Sequence, residues 1–407
     1  MKRSIIFSAL LMSHVATVAT AAHADPMEIA LLQEAIFSGK TSLDLRLRAE
    51  WVDDSVKQDA NAETLRTVLG YKTGDYHGLK AFVEFEDVSN FGREYYNSGI
   101  PGGKTPYATI ADPAVTQVNQ AYLEGYGVKA GRQKIVFDNA RFIGDVGWRQ
   151  NDQTFDAVGY TNTTLVKDLT LAFDYVSKVN PPSGIRRAVS APLVNIRYAG
   201  LPEAKVSVFY YGVEEDSTTI ASGTTKYTAT SWRHDGLRVD GVIKDFLYEA
   251  SFAEQGAYAD GTAKSSPDAN YYDLQLGYKF GPVTVKAQHE VLQQGFKTPF
   301  ATLHAFNGWA DRFLATPTDG LQDSNLKVLA KFWDVNFVLA GHTFKGDENG
   351  DSFGNELDFS AGYQLTKNLN MLVKYAKYVA EGDTKLLTPT VANKDLTKAW
   401  LQFSYRM

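Results

Sequence analysis

Beyond residue 40 one period dominates the chain. In Thr41–Trp51 (TSLDLRLRAEW), Leu43, Leu45 and Leu47 alternate with Asp44, Arg46, Arg48 and Glu50. A two-residue period places one set on each side of an extended strand. The pattern returns in Gly78–Val88, Leu169–Val179, Ala204–Val213, Tyr272–Phe280, Val283–Val291, Leu357–Leu365 and Leu369–Tyr378. Together the alternating runs predict about eighteen strands. They fall near 41–51, 64–74, 78–88, 117–127, 128–138, 153–165, 169–179, 191–199, 204–213, 228–243, 246–257, 270–280, 283–294, 324–332, 334–345, 354–366, 369–380 and 396–407.

The connections fall into two classes. After even-numbered strands they are very short, as in Asp75-Tyr76-His77, Lys167-Asp168, Leu201-Pro202-Glu203, Lys244-Asp245, Gly281-Pro282 and Lys367-Asn368. After odd-numbered strands they are long: 52–63, 89–116, 139–152, 180–190, 214–227, 258–269, 295–323, 346–353 and 381–395. A soluble sandwich has no reason for this alternation. A single transmembrane antiparallel β-barrel has one, with short periplasmic turns and long extracellular loops. Eighteen strands enclose a space too wide for their own side chains to fill. The polar phase is therefore expected to line a lumen, and the apolar phase to face lipid. Aromatic residues near strand ends suit two interfacial girdles: Trp51, Tyr71, Phe137, Tyr175, Tyr198, Tyr210, Tyr278, Phe280, Tyr363 and Tyr375. The last strand sends Ala399, Leu401, Phe403, Tyr405 and Met407 outward and resembles an outer-membrane insertion signal, with Met in the terminal place.

The first residues read differently. Lys2 and Arg3, an apolar run from Ile5 and the small-residue end Ala22-His23-Ala24 form a secretory signal peptide over 1–24. Residues 25–40 are expected to be a periplasmic lead-in, with one short helix over 27–39, and 41–407 the outer-membrane barrel of a Gram-negative bacterium. The 407-residue chain has no cysteine, which excludes disulfide frameworks and thiolate metal sites. Its net charge of -6 argues against a nucleic-acid partner. That charge divides unevenly. The predicted wall carries seventeen basic and twelve acidic residues, and the rest of the mature chain twenty-two and thirty-five. A basic lumen under acidic loops concentrates anionic solutes, although a one-residue slip of register exchanges the faces. Among the wall residues, Arg46, Arg48, Arg66, Lys80, Arg197 and Arg238 are candidate guides.

Enzyme motifs are weak. Gly350-Asp351-Ser352-Phe353-Gly354 matches G-x-S-x-G but lies between two strands, without the strand-to-helix elbow that motif needs. Asp347, Asn349 and Asp351 have the first spacings of a calcium loop, yet Ser352 stands at the turn glycine and Asp358 at the final Glu. No metal, cofactor or catalytic residue is expected, and the chain reads as no enzyme. The segment 296–323 is too long and aromatic for a simple solvated loop. If it folds inward, His304, Trp309, Asp311 and Arg312 become candidates for a constriction, with Trp309 able to stack on a sugar.

Three segments, Thr41–Trp51, Gly131-Arg132-Gln133 with Arg141–Ala157 (RFIGDVGWRQNDQTFDA), and Thr302–Leu314 (TLHAFNGWADRFL), make the chain resemble the alginate export family of outer-membrane barrels. The resemblance implies an eighteen-stranded, arginine-rich channel that passes an anionic uronate polysaccharide. It also implies a monomer. Carried over, Arg46, Arg48, Arg132, Arg141 and Arg149 guide carboxylates, and Asp156 pairs among them. The short periplasmic turns depart from the exporter, which carries a plugging loop there. They leave a general or other-substrate uptake porin as the alternative. The expected partners are an anionic saccharide or other small solute, outer-membrane lipid and lipopolysaccharide, and the outer-membrane insertion machinery.

Overall fold

The computed structural model describes residues 25–100, 103–219, 225–227, 229–259, 268–382 and 393–407. The signal segment 1–24 lies outside the described residues, as do 220–224, 260–267 and 383–392 of the expected outer loops. A helix α1 (Pro26–Phe37) precedes β1 (Lys40–Asp54), β2 (Ala60–Lys72), β3 (Lys80–Tyr95), β4 (Thr116–Gly125), β5 (Val128–Gln133), β6 (Thr154–Asn162), β7 (Leu169–Asn180), β8 (Arg187–Tyr198) and β9 (Ala204–Glu215). A short ribbon of β10 (Thr218–Thr219) and β11 (Thr225–Tyr227) follows. Then come β12 (Thr230–Ile243), β13 (Phe246–Gly256), β14 (Ala269–Phe280), β15 (Val283–Leu292), β16 (Leu321–Phe332), β17 (Val335–Lys345), β18 (Ser352–Gln364), β19 (Leu369–Ala380) and β20 (Leu396–Arg406). Apart from the ribbon, the strands form one eighteen-stranded sheet. It closes where β1 pairs antiparallel with β20, from Asp44 opposite Arg406 to Asp54 opposite Leu396. Lipid offers no donors or acceptors, so closure is the way a sheet there satisfies every edge.

Sequence chemistry explains the short turns. His77-Gly78, Tyr126-Gly127 and Trp333-Asp334 hold positive φ at both central residues. Such turns match the right-handed twist of the strands they join. Outward positions form an apolar belt that includes Leu47, Leu69, Leu123, Val158, Leu274 and Leu357.

The lumen departs in part from expectation. The polar phase lines its inner half, but the outer half is packed with apolar side chains of the wall and of inward-folding loops, 296–323 among them. Two outer loops, 134–153 and 293–320, turn into the barrel. Phe142, Phe296, Phe300 and Phe313 from these loops pack with inward Phe155, Phe209, Tyr211, Trp232, Tyr271, Phe344, Phe353 and Tyr378. The fifth strand accordingly ends at Gln133 rather than near 138. Phe137, expected in a girdle, lies inside and stacks on Tyr211 at 5.7 Å.

This two-sided design makes the faces unequal to mutation. Leu47, at the middle of β1, points to lipid. Leu47→Arg is expected to destabilise the barrel by about 2–4 kcal/mol, the usual cost of arginine on the lipid face at midplane, whereas Leu47→Ile changes little. Urea unfolding of the reconstituted protein, followed by tryptophan fluorescence, measures both.

Candidate functional site

The site begins with side chains that β1 and β2 aim inward. Arg46 Nη1 donates to the carbonyl oxygens of Gly147 (3.1 Å) and Arg149 (2.9 Å). Arg48 donates from Nη2 to the Trp148 carbonyl (2.6 Å) and to Gln402 Oε1 (2.6 Å), and its Nη1 lies 3.4 Å from Asp112. Arg66 binds Glu86 (2.9 Å) and Asp152 (2.6 Å). Three arginines of adjoining strands therefore hold the loop 134–153 by its backbone and by its Asp152. Lys134 adds a second cation to Asp152, at 2.6 Å.

The loop 293–320 is held from the opposite wall. Arg141 of the first loop binds Glu290 of β15 (2.7 Å) and donates to Asn307 Oδ1 (3.1 Å). Wall carboxylates accept loop amides: Ala310 N–H donates to Glu356 (2.7 Å) and Trp309 N–H to Asp358 (3.2 Å). The two loops meet at Asp311. Its carboxylate takes Arg149 Nη2 at 2.6 Å, Lys398 Nζ at 2.8 Å and His304 Nδ1 at 2.6 Å. Burial pushes the His304 pKa down, against the pull of the Asp311 carboxylate. Nδ1–H donates to Asp311, and Nε2 accepts from Lys374 Nζ at 2.6 Å. Lys374 lies over Trp309 at 3.6 Å and Trp148 at 4.1 Å. Both ring faces lie within the range of a cation–π contact.

The predicted site residues sort clearly. Arg46, Arg48, Arg66, Arg141 and Arg149 are brought together, but as buried anchors of the loops. Arg197 and Arg238 face the lumen lower down; Arg197 binds Asp138 (2.9 Å) and Asp240 (3.1 Å), and Arg238 binds Glu249 (2.8 Å). His304, Trp309 and Asp311 sit in the constriction. Arg312 lies at the outer side of the loop, where Nη2 donates to the Lys394 carbonyl at 2.6 Å. Ser352 of the G-x-S-x-G match donates its hydroxyl to Glu381 at 2.5 Å, on the exposed outer rim.

Arg132 and Asp156 require a correction. They bind each other at 2.7 Å, but not in the lumen. Arg132 pairs with Ala121 and Asp156, in phase with outward Val128 and Val158. The inward phase of β5 runs through Lys129, Gly131 and Gln133, because the tight turn at Tyr126-Gly127 fixes Val128 outward. The sequence reading also missed Asp273 and Asp323, which flank Glu290 on the inner wall, and Asp112, Asp138 and Asp152, which the long loops bring in.

Below the loops the lumen is open. One cavity of about 470 Å³ is lined by Lys80, Glu124, Lys129 and Asp174. Another of about 460 Å³ is lined by Lys205, Arg238, Glu249 and Lys286. Lys327 stands beside Lys286 in register. Among the described residues, Lys80, Lys205, Lys286 and Lys327 have no ion-pair partner.

This architecture is shared with solved outer-membrane proteins. OccAB3 of Acinetobacter baumannii superposes with a TM-score of 0.68 at 13% identity, over 91% of this chain and 100% of that chain. OccAB2 of the same organism gives 0.67 at 15%, over 92% and 99%. OccK3 (OpdO) of Pseudomonas aeruginosa gives 0.67 at 11%, over 94% and 99%. At such identities the likeness is one of fold. No curated protein sequence matches the chain. The Alginate export family matches residues 41–293, more than half of the chain. The chain therefore belongs to the alginate export family, as a porin-like β-barrel channel of the Gram-negative outer membrane.

Proposed function

We propose that the channel passes small anionic saccharides, uronates of the alginate type, by passive diffusion and without covalent chemistry. The observation that carries this reading is the inequality of lumen charges. The inward carboxylates are engaged: Asp44 and Glu86 by Arg66, Glu249 by Arg238, Asp240 by Arg197, Glu290 by Arg141, and Glu356 and Asp358 by loop amides. Among the described residues Glu84, Asp174 and Asp273 have no cation within ion-pair distance; Glu84 accepts from the Asn119 and Gln120 amides, Asp273 from the Gln288 amide, and Asp174 lies beside Lys129 in the first cavity. Lys80, Lys205, Lys286 and Lys327 are left to offer uncompensated positive charge to a solute. A low-dielectric wall focuses that field and raises the local concentration of anions. The ion-paired arginines Arg48, Arg66, Arg141, Arg149, Arg197 and Arg238, with Arg46 held by loop carbonyls, serve in this reading as a fixed frame, and the lysines as the contacts a passing carboxylate exchanges. The inward loops favour short saccharides over a polymer. The same filling, with the short periplasmic turns, favours the second reading, an uptake porin for other small solutes.

In planar bilayers the purified protein is expected to prefer chloride over potassium and to be blocked by short oligouronates. Lys286→Glu with Lys327→Glu is expected to lower both the preference and the block. Cation preference in the native channel overturns the anion reading. Liposome swelling separates the two solute readings, since permeation by size alone across neutral sugars, amino acids and uronates supports the general porin.

The meeting of the loops at Asp311 sets the aperture. Asp311→Asn removes the anion shared by Arg149, Lys398 and His304. Breaking a buried pair in this way costs about 3–5 kcal/mol. Single-channel conductance and open-channel noise are both expected to rise while the barrel stays folded.

A further inference from the structure

Helix α1 has an apolar surface that no other described part of the protein covers. It docks by one edge. Glu28 accepts from the Tyr76 hydroxyl (2.9 Å) and lies 3.0 Å from His77 Nε2, both in the turn between β2 and β3. These hydrogen bonds, His77's first, hold the Glu28 carboxyl below its ordinary range. At the other end Gly74 N–H donates to the Ala35 carbonyl at 2.7 Å, and the Tyr71 hydroxyl donates to the Ile36 carbonyl. Ala35 is the one buried residue of the helix.

The remaining apolar side chains are exposed. Ile29, Leu32 and Ile36 follow at spacings of three and four and so form one stripe. Phe37 is 84% exposed. A helix this apolar needs a cover. Its attachment shows which cover is at hand. Tyr71 belongs to the outward phase of β2, opposite Thr41 and two residues from lipid-facing Leu69. The helix therefore hangs from the periplasmic rim, beside the lipid-facing belt.

We propose that α1 lies in the inner-leaflet interface of the outer membrane, with Ile29, Leu32 and Ile36 among phospholipid acyl chains. The side chains of Asp25–Phe37 include acids and no lysine or arginine. Binding thus rests on apolar burial rather than attraction to anionic lipid, and neutral phosphatidylcholine is a sufficient partner.

The absence of native cysteine makes a direct test simple. Leu32→Cys, Ile29→Cys, Glu34→Cys and the belt reference Leu45→Cys each carry one environment-sensitive fluorophore. The full-length proteins are placed in phosphatidylcholine vesicles with and without brominated lipid, and heat-modifiable gel migration checks folding. The Leu32 and Ile29 probes are expected to lose as much emission to brominated lipid as the Leu45 probe and to resist aqueous iodide. The Glu34 probe, on the far face, is expected to respond to iodide. Leu32→Glu is expected to abolish lipid quenching at Ile29 while the barrel stays folded. The proposal is overturned if iodide quenches Leu32 and Ile29 as fully as Glu34. It is equally overturned if neither quencher reaches them, since a protein surface then covers the stripe.

Discussion

A ring of eighteen strands cannot fill itself. Backbone groups in lipid must pair, so the sheet closes, and closure at this width leaves a hole beyond the reach of inward side chains. Everything else in the molecule answers that constraint. Two outer loops enter the hole and bring their own phenylalanines, while the wall supplies charged anchors at fixed heights. Asp311 is where the two loops and the wall meet. Charge-assisted bonds of this kind are strong because little water screens them.

The consequence is a lumen of two tiers. The outer tier has the composition of a protein core, with Trp232, Phe300, Phe353 and Tyr378 buried as they would be in a globular domain. The inner tier is open, and its wall carries Lys80, Lys129, Lys205 and Lys286 together with Glu124, Asp174 and Glu249. Arginine and lysine divide the work by their chemistry. The guanidinium fork suits several fixed acceptors at once, and Arg48 meets a carbonyl, an amide and a carboxylate. The ammonium on its flexible stem suits a transient contact.

Strand number, order and turn lengths were legible because each depends on a local period. The inward phase was legible wherever apolar and charged residues alternated strongly, as in β1. It failed in β5, a six-residue strand in which Val128, Ala130 and Arg132 share a face and give a weak signal. Residue type also hid the role of the arginines. Arg141 and Glu290 lie 149 positions apart, and Arg149 and Asp311 162 apart. No spacing rule joins them. What sequence did carry was the aromatic character of 296–314, unsuited to a solvated loop, which marked it as an inward segment.

The seam between β1 and β20 bears on assembly. The first barrel strand finds one of its two neighbours only in the last, more than 340 residues away in the chain. Hairpins can form as the chain is delivered, but the circle waits for its final segment. Until then β1 and β19 are open edges, and open edges recruit foreign strands. Contacts of such long range also form slowly. A barrel sealed at its chain ends is therefore vulnerable for the whole of its delivery, and the interval before the seam closes is when a chaperoning surface matters most.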